Sequence, residues 1–244
     1  MLLLAIGNPL LAKSSPIVSN RPSFTTGTYT LKPNTVVLEL GYQRAFNDNG
    51  VNRSTETLPM LDLRLGLTSK FEMDILWSGK KSYQVDGKVS TSAFSDVALG
   101  SKYRLVQKQS YNLSFLGILS FPTGSATATS EHIDPTVGLS WDRVLSKNIS
   151  AFGIFQGTSY VSSDKRVYDF QPAVGFAFSH KKGWGSFIEY YSTVPLRSNG
   201  DIQHAIDAGV TYLITNDFQW DINGAVGLNE KSENYIGSGI AYRF

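Results

Sequence analysis

Apolar and polar residues alternate with a period of two through most of the chain. The last ten residues, Tyr235–Phe244, place Ile236, Ile240, Tyr242 and Phe244 on one parity and small or polar residues on the other. Successive side chains of a β-strand point to opposite faces, so this segment predicts a strand with one apolar face. The same pattern predicts twelve strands, which begin near Thr35, Thr55, Phe71, Ala93, Tyr111, His132, Ile149, Lys165, Trp184, Gln203, Phe218 and Asn234.

The connections between the predicted strands alternate in length. Tight links follow every second strand, at 68–70, 107–110, 146–148, 180–183 and 215–217. Longer polar links lie between them, at 47–54, 78–92, 123–131, 162–164, 195–201 and 229–233. This alternation is expected of a transmembrane barrel with short periplasmic turns and longer external loops, and a soluble sandwich has no reason to show it.

The chemistry of the polar parity points the same way. It is rich in Gly, Ala, Ser and single carboxylates, as a narrow wet lumen would be. In lipid, every backbone polar group must pair internally, which a closed barrel achieves. We therefore predict an all-β, antiparallel, up-and-down transmembrane barrel of about twelve strands, residues 35–244, in the bacterial outer membrane. A soluble β-sandwich or a lipocalin-like barrel is the alternative.

Composition narrows the kinds of partner and site that the protein is expected to have. The net charge of +2 and the lack of a basic cluster interleaved with aromatics give no reason to expect a nucleic-acid partner. The chain has no Cys, and its carboxylates have no His at ligand spacing, so neither a disulfide framework nor a metal site is expected. No phosphate-binding motif or other sign of a cofactor is present. Residues 1–12 resemble the remnant of a signal peptide.

Charged residues fall mainly on the parity assigned to the lumen. Eleven acids and four bases share it, so the predicted interior is acidic and would favour cations. The alternative is that these charges form a structural network inside a packed barrel. The candidate lumen-lining residues are Glu39, Asp62, Arg64, Glu72, Asp74, Asp96, Lys102, Arg104, Asp134, Asp142, Asp169, Glu189, Asp207, Asp221 and Arg243.

The two ends of the chain raise separate questions. Residues 13–34 carry prolines and turn residues and read as irregular chain, which could thread into the lumen as a plug or hang in the periplasm. The terminal strand resembles the C-terminal signal strand of bacterial outer-membrane barrels, with Tyr242 and Phe244 as the part that a barrel-assembly machinery would read.

Several segments resemble a known family of outer-membrane proteins. They are Leu38–Tyr42, Leu61–Leu67, Asp96–Arg104, Phe121–Gly124 and Asp134–Leu139, together with the proline-containing stretch that precedes the first strand. They are similar to the family linked to meta-pathway phenol degradation, whose members are often labelled "transporter". The resemblance implies a barrel with a role in the passage of small compounds, including aromatic or hydrophobic ones.

The predicted function is thus an outer-membrane channel for passive passage of small solutes, not an enzyme. A plugged barrel with a structural or adhesion role is the alternative. An outer-membrane lipid hydrolase is a third reading, because His204 and Ser238 share the outward parity. Nucleophile and base must meet within hydrogen-bond reach, and these two residues lie on non-adjacent predicted strands.

Overall fold

A computed structural model describes residues 15–48, 52–196 and 200–244. The predicted signal-peptide remnant, residues 1–12, lies outside this part of the chain. The described residues form fourteen strands and one short 3-10 turn, Lys181–Gly183. The strands are β1 (Val36–Asp48), β2 (Asn52–Thr68), β3 (Phe71–Trp77), β4 (Lys80–Val85), β5 (Lys88–Phe94), β6 (Val97–Gln107), β7 (Tyr111–Phe121), β8 (Asp134–Ser146), β9 (Ile149–Ser162), β10 (Lys165–Ser179), β11 (Trp184–Pro195), β12 (Gln203–Thr215), β13 (Phe218–Gly227) and β14 (Asn234–Arg243).

The strands close into one antiparallel barrel. Consecutive strands pair along the chain, except β3 with β4 and β5 with β6, and the sheet closes where β1 pairs with both β2 and β14. At the closing seam, Leu38 lies opposite Tyr242 of β14 and opposite Leu63 of β2. Among the described residues, only β5 lies at an end of the sheet, pairing with β4 alone, and the closed part of the barrel has no free edge, as a lipid-embedded sheet requires.

Two neighbouring walls of the barrel are each built from two strands. Strand β2 pairs with β3 through residues 61–68 and with β4 through residues 53–58, so β3 and β4 follow one another along the same neighbour. Strand β6 pairs with β3, and β5 pairs with β4, in the same way. Because β3 with β4 and β5 with β6 each occupy one position around the barrel, the fourteen strands fill twelve positions, which we call staves. The predicted up-and-down barrel of about twelve strands is confirmed.

Two predicted loops differ from the structure. The segment 78–92 was expected to be a long polar loop, but most of it is the hairpin β4–β5, which extends the wall beyond the barrel. The link 162–164 was expected to be long, but β9 and β10 are joined by a tight turn in which Ser163 and Asp164 have positive φ. The hairpin escaped prediction because its polar, exposed strands lack the apolar parity of a membrane-facing wall.

The two ends of the barrel have different connections. All five tight links lie where predicted, at one end, together with Arg243 and the start of β1. The connection between β7 and β8, residues 122–133, is the longest described one at the other end. By the rule for outer-membrane barrels, the end with the short turns is called periplasmic and the other external.

The outer and inner surfaces are opposite in character. Large apolar side chains are exposed around the outer wall, for example Ile222, Phe155 and Ile240. The inner surface holds buried charged and hydroxyl side chains, among them Glu39 and Arg64. This inversion of the usual soluble pattern fits a wall in lipid around a polar lumen. No helix among the described residues has the length and apolar character needed to cross a membrane.

A charge introduced on the outer wall tests the assignment of lipid-facing residues. Ile222 lies in the middle of β13 and is 45% exposed, so Ile222→Lys should lower the free energy of unfolding by about 2–4 kcal/mol. Leu145→Lys, next to a periplasmic turn, is the matched control and should cost about 0–1 kcal/mol. Denaturant unfolding in lipid vesicles measures both. Equal costs at the two positions would contradict the assignment.

Candidate functional site in the barrel lumen

The lumen contains the N-terminal segment of the chain. We call residues 15–34 the strap. The strap enters at the periplasmic rim, where the amide of Ile17 donates to the carbonyl of Asn216 at 2.7 Å. It returns to that rim, where the amide of Asn34 donates to the carbonyl of Gly66 at 2.9 Å. Its apex, residues 20–25, therefore lies between two anchored limbs inside the barrel.

An ion-pair network on β1, β2, β3 and β6 forms one wall around the strap. The guanidinium of Arg64 pairs with Glu39 at 3.0 Å and with Glu72 at 2.9 Å. The ammonium of Lys102 also pairs with Glu72, at 3.0 Å. All four side chains are essentially shielded from solvent. Removing one member of such a buried network would leave an uncompensated charge, so these residues depend on one another.

The same network binds both limbs of the strap. Arg64 donates to the carbonyl of Val18 at 2.8 Å, and Lys102 donates to the carbonyl of Tyr29 at 3.2 Å. The amide of Leu31 donates to Glu72 at 2.6 Å. Strap backbone groups that would otherwise be unpaired in the interior are thus satisfied by charged side chains of the wall.

Glu39 holds the approach to the apex. Its carboxylate accepts hydrogen bonds from the hydroxyl of Ser19 at 2.7 Å and from the amides of Asn20 and Arg21 at 2.9 and 3.0 Å. Three donors from three successive strap residues converge on one side chain, which fixes the direction of the chain there.

Arg21 anchors the apex to the seam of the barrel. Its guanidinium donates to Asp221 at 3.0 and 3.3 Å. It lies over Gly41 and Gly239, which face one another across β1 and β14. A Cβ atom added at Gly41 would come within 2.0 Å of the guanidinium, and one at Gly239 within 2.3 Å. These two glycines therefore supply the space that Arg21 occupies.

The opposite side of the apex rests on a pair of carboxylates. Glu189 and Asp207 face one another across β11 and β12 and are buried. Glu189 accepts from the amide of Phe24 at 2.9 Å and from the hydroxyl and amide of Thr25. Asp207 accepts from the hydroxyl of Tyr235 at 3.2 Å. Neither carboxylate forms an ion pair with any residue that the structure describes.

Phe24 adds an aromatic contact at the apex. Its ring stacks parallel on Tyr191, with centroids 4.5 Å apart and an interplanar angle of 4°. Both rings pack against a small apolar cluster formed by Leu116, Ile154 and Ala173. This contact joins the strap to the wall β7–β11, where no ion pair among the described residues holds the strap.

The returning limb meets further predicted lumen residues. The hydroxyl of Thr28 donates to Asp142, which also accepts from Asn112 at 2.8 Å. Arg104 donates to the carbonyl of Thr30 at 2.8 Å, and its guanidinium lies 4.8 Å from the centre of the Tyr29 ring.

The remaining predicted residues occupy different places. Asp62 accepts from the side-chain amide Nδ2 of Asn20 at 3.2 Å, and Asp74 and Asp169 are buried. Asp96 and Asp134 lie towards the external end, Asp96 binding Gly124 and Thr129 of the long connection and Asp134 pairing with Arg166. Arg243 lies at the periplasmic rim, where it pairs with Asp217 and donates to the carbonyl of Ser15. Tyr242 and Phe244 are exposed on the outer wall there.

Two cavities lie on either side of the strap apex. The external cavity has a volume of about 460 Å³ and reaches Tyr42 and Trp77. The periplasmic cavity has a volume of about 370 Å³ and reaches Phe152 and Phe187. Both touch the apex residues Pro22 and Ser23, so the apex separates them.

His204 and Ser238, the residues of the hydrolase hypothesis, form hydrogen bonds with other residues. Nδ1 of His204 lies 2.8 Å from the hydroxyl of Tyr190. The hydroxyl of Ser238 donates to the carbonyl of Asp221 at 2.7 Å and accepts from Trp220 at 3.1 Å. The described residues contain no group of three or more His, Cys, Asp or Glu side chains that could hold a metal ion.

Sequence reasoning missed the strap side of this site. It named wall residues by their parity but not Arg21, Phe24 or Thr25, because the strap has no period to follow. A signal did exist: Gly41 and Gly239 fall on the inward parity of the two closing strands, where a bulky group from elsewhere would need room.

A closed antiparallel barrel with an apolar outer wall and a charged lumen defines a transmembrane β-barrel of the bacterial outer membrane. The chain belongs to the family described as "Putative MetA-pathway of phenol degradation", whose model matches residues 19–244. The family resemblance drawn from the sequence is thereby confirmed. No curated protein sequence shows significant similarity to this one.

Solved structures share the fold at low sequence identity. An outer membrane channel from Pseudomonas putida F1 has a TM-score of 0.73 and 12% identity, over 91% of this chain and 100% of that one. The NanC porin has a TM-score of 0.57 and 9% identity, over 85% and 98% of the two chains. The KdgM porin has a TM-score of 0.55 and 7% identity, over 84% and 99%.

The role of Gly239 in making room for the Arg21 guanidinium can be tested by adding a single methyl group at this glycine. Gly239→Ala should push the guanidinium away from Asp221 and leave a buried carboxylate without its partner, so the apex should loosen. Hydrogen exchange of the backbone amides of residues 20, 21 and 23–25 should then become faster, by about tenfold or more if the lost pair is worth at least ~1.4 kcal/mol.

Gly27→Ala is the matched control, since a Cβ atom there has nothing within 4 Å. It should leave exchange in the apex unchanged. If Gly239→Ala also left that exchange unchanged, Arg21 would not be the anchor of the apex.

Proposed function

We propose that this protein is an outer-membrane channel for the passive passage of small solutes, whose lumen is closed by the strap apex. The observation that carries the proposal is the pair of cavities, external and periplasmic, which share the apex residues Asn20, Pro22 and Ser23 in their linings. A barrel built solely for rigidity would not need open space on both sides of one segment. The similar structures described as a channel and as porins support this role by analogy.

The contacts of the apex identify the side on which a path would open. Between the two cavities stand the Phe24–Tyr191 stack and the hydrogen bonds from Thr25 to Glu189. Neither contact is an ion pair, in contrast to the Arg21–Asp221 pair on the seam side. The strap would therefore open a path along β9–β12 while its other side stays attached.

The solute class follows from the two cavities. Both expose aromatic side chains, Tyr191 and Trp77 in the external one and Phe152 and Phe187 in the periplasmic one. Carboxylates lie beside the apex. Small solutes with an aromatic or apolar part fit these walls, and dissolved cations should pass more readily than anions.

Planar-bilayer recordings test the closed apex. Removing residues 13–34 should raise single-channel conductance several-fold, because the strap then no longer fills the lumen. Phe24→Ala should give a smaller increase by removing one ring from the stack. Phe155→Ala is the control, because Phe155 stacks on Phe170 on the outer wall. The reversal potential in a salt gradient should show cation preference.

Two outcomes would count against the channel. If neither the full chain nor the shortened chain conducts or takes up solute, the second candidate, a plugged barrel with a structural or adhesion role, is favoured. The many contacts of the strap with the wall and the β4–β5 hairpin beyond the barrel are the observations that support this second candidate. A reversal potential showing anion preference would refute the cation-favouring lumen.

We also propose that the outward edge of β14 carries the assembly signal. Tyr242 and Phe244 contact edge to face, with centroids 4.9 Å apart, and both are exposed on the outer wall. Phe244→Ser should reduce the amount of protein in the outer membrane several-fold in cells, while refolding of the purified chain in detergent stays the same. A matching loss in detergent would point to a stability defect instead.

A further inference from the structure

The external cavity has a chemistry that the channel role alone does not require. Its floor is the strap apex, including Arg21 and Phe24, and its walls come from β1, β2, β3 and β11–β14. Its volume of about 460 Å³ is that of a site for a small organic molecule. The inference drawn from it rests on the proposed function, because it concerns the external mouth of the channel.

The lining of this cavity is electronegative. Three carboxylates contribute to it, Glu39, Asp62 and Glu233. Among the described lining residues, Arg21 is the only arginine or lysine, and its guanidinium is held by Asp221. Arg64 compensates Glu39, but Asp62 and Glu233 form no ion pair with any residue that the structure describes. A cationic ligand would therefore meet an excess of negative charge, and an anionic ligand would be repelled.

Two oxygen atoms of the lining residues lack hydrogen-bond donors. Asp62 accepts from Asn20 on Oδ2 at 3.2 Å, but its Oδ1 is buried without a partner. Asn223 donates to the carbonyl of Pro22 at 3.0 Å, but its Oδ1 is also buried without a partner. Buried acceptors are normally satisfied, so both oxygens call for a donor that the described protein does not supply.

Aromatic rings complete the cavity. Tyr191, Tyr235 and Trp77 line it, and Phe24 extends the stack on Tyr191 to its floor. The face of an aromatic ring attracts a cation and packs well on another ring. Carboxylates and aromatic faces together match a positively charged group attached to an apolar ring.

We propose that the external cavity binds a small organic ammonium ion that carries an aromatic ring. The ammonium group donates to Asp62, displacing the long hydrogen bond from Asn20, and the ring packs against the aromatic wall. Binding there would concentrate such a solute directly above the apex.

Calorimetric titration of the full chain in non-ionic detergent tests this site. The probes are benzylammonium, benzyl alcohol and benzoate, which share the ring and differ in charge. Benzylammonium should bind most tightly and benzoate should not bind. Asp62→Asn should weaken benzylammonium binding by about tenfold or more, the usual range for losing a charge-assisted hydrogen bond. It should change the binding of benzyl alcohol much less.

Asp86→Asn is the matched control. It removes the same charge from the exposed tip of the β4–β5 hairpin, outside the cavity, and should leave binding unchanged. The heat-dependent gel shift typical of folded barrels checks that each variant is folded. If Asp62→Asn fails to fold, Asn223→Leu replaces it and should weaken benzylammonium binding through loss of its acceptor.

The outcomes separate this proposal from the channel function. Equal affinity for benzylammonium and benzyl alcohol would overturn the ammonium site and assign the cavity to neutral aromatic compounds. Equal loss of affinity in Asp62→Asn and Asp86→Asn would reduce the effect to overall charge. Binding needs no membrane, so tight benzylammonium binding with no conductance from either the full chain or the chain without residues 13–34 would refute the channel and keep the site. Conductance without benzylammonium binding would refute the ammonium site and keep the channel.

Discussion

Pairing of the buried polar groups inside a narrow barrel is the constraint on which this structure depends. Lipid outside the wall forces every strand to hydrogen-bond with its neighbours, and closing twelve staves leaves an interior that must be filled or wet. Here the wall carries buried carboxylates such as Glu39, Glu72 and Glu189. The strap fills the space and supplies backbone amides and the Arg21 guanidinium as donors. Strap and wall are therefore complementary, and neither is satisfied without the other.

The closing strands show how sequence sets this complementarity. From Gly237 to Ala241 the inward parity of β14 consists of small residues, and that of β1 includes Gly41. Small residues would weaken an ordinary strand, since they offer little to pack. At this seam the small residues leave the volume that Arg21 needs. The two strands pack less tightly there, and the buried ion pair between Arg21 and Asp221 can form. The small inward-facing residues of the terminal strand therefore make room for the Arg21 side chain in addition to lining the lumen.

The wall could be predicted from sequence, and the reasons are physical. A period of two, imposed by lipid on one face and a polar interior on the other, locates strands such as β9, β11 and β13 at their first residues. The period of two is lost where a strand does not face lipid. The β4–β5 hairpin stands beyond the membrane, so both its faces are polar and it looked like a loop. Phe152 and Ile154 blurred the parity of β9 because they face an apolar part of the lumen.

The strap could not be predicted because its contacts are remote in sequence. Arg21 meets Asp221 two hundred residues away, and Thr25 meets Glu189 at a separation of 164. No local pattern encodes such partners. The unequal bonding of the two sides of the strap emerges only in three dimensions: an ion-pair network on β1–β6 and the seam, but two carboxylates without ion pairs and one ring stack on β9–β12. In the channel proposed above, a strap held by ion pairs on one side and by hydrogen bonds and a ring stack on the other would move first on the side without ion pairs. The position of the charges would then determine both how the strap closes the lumen and where it opens.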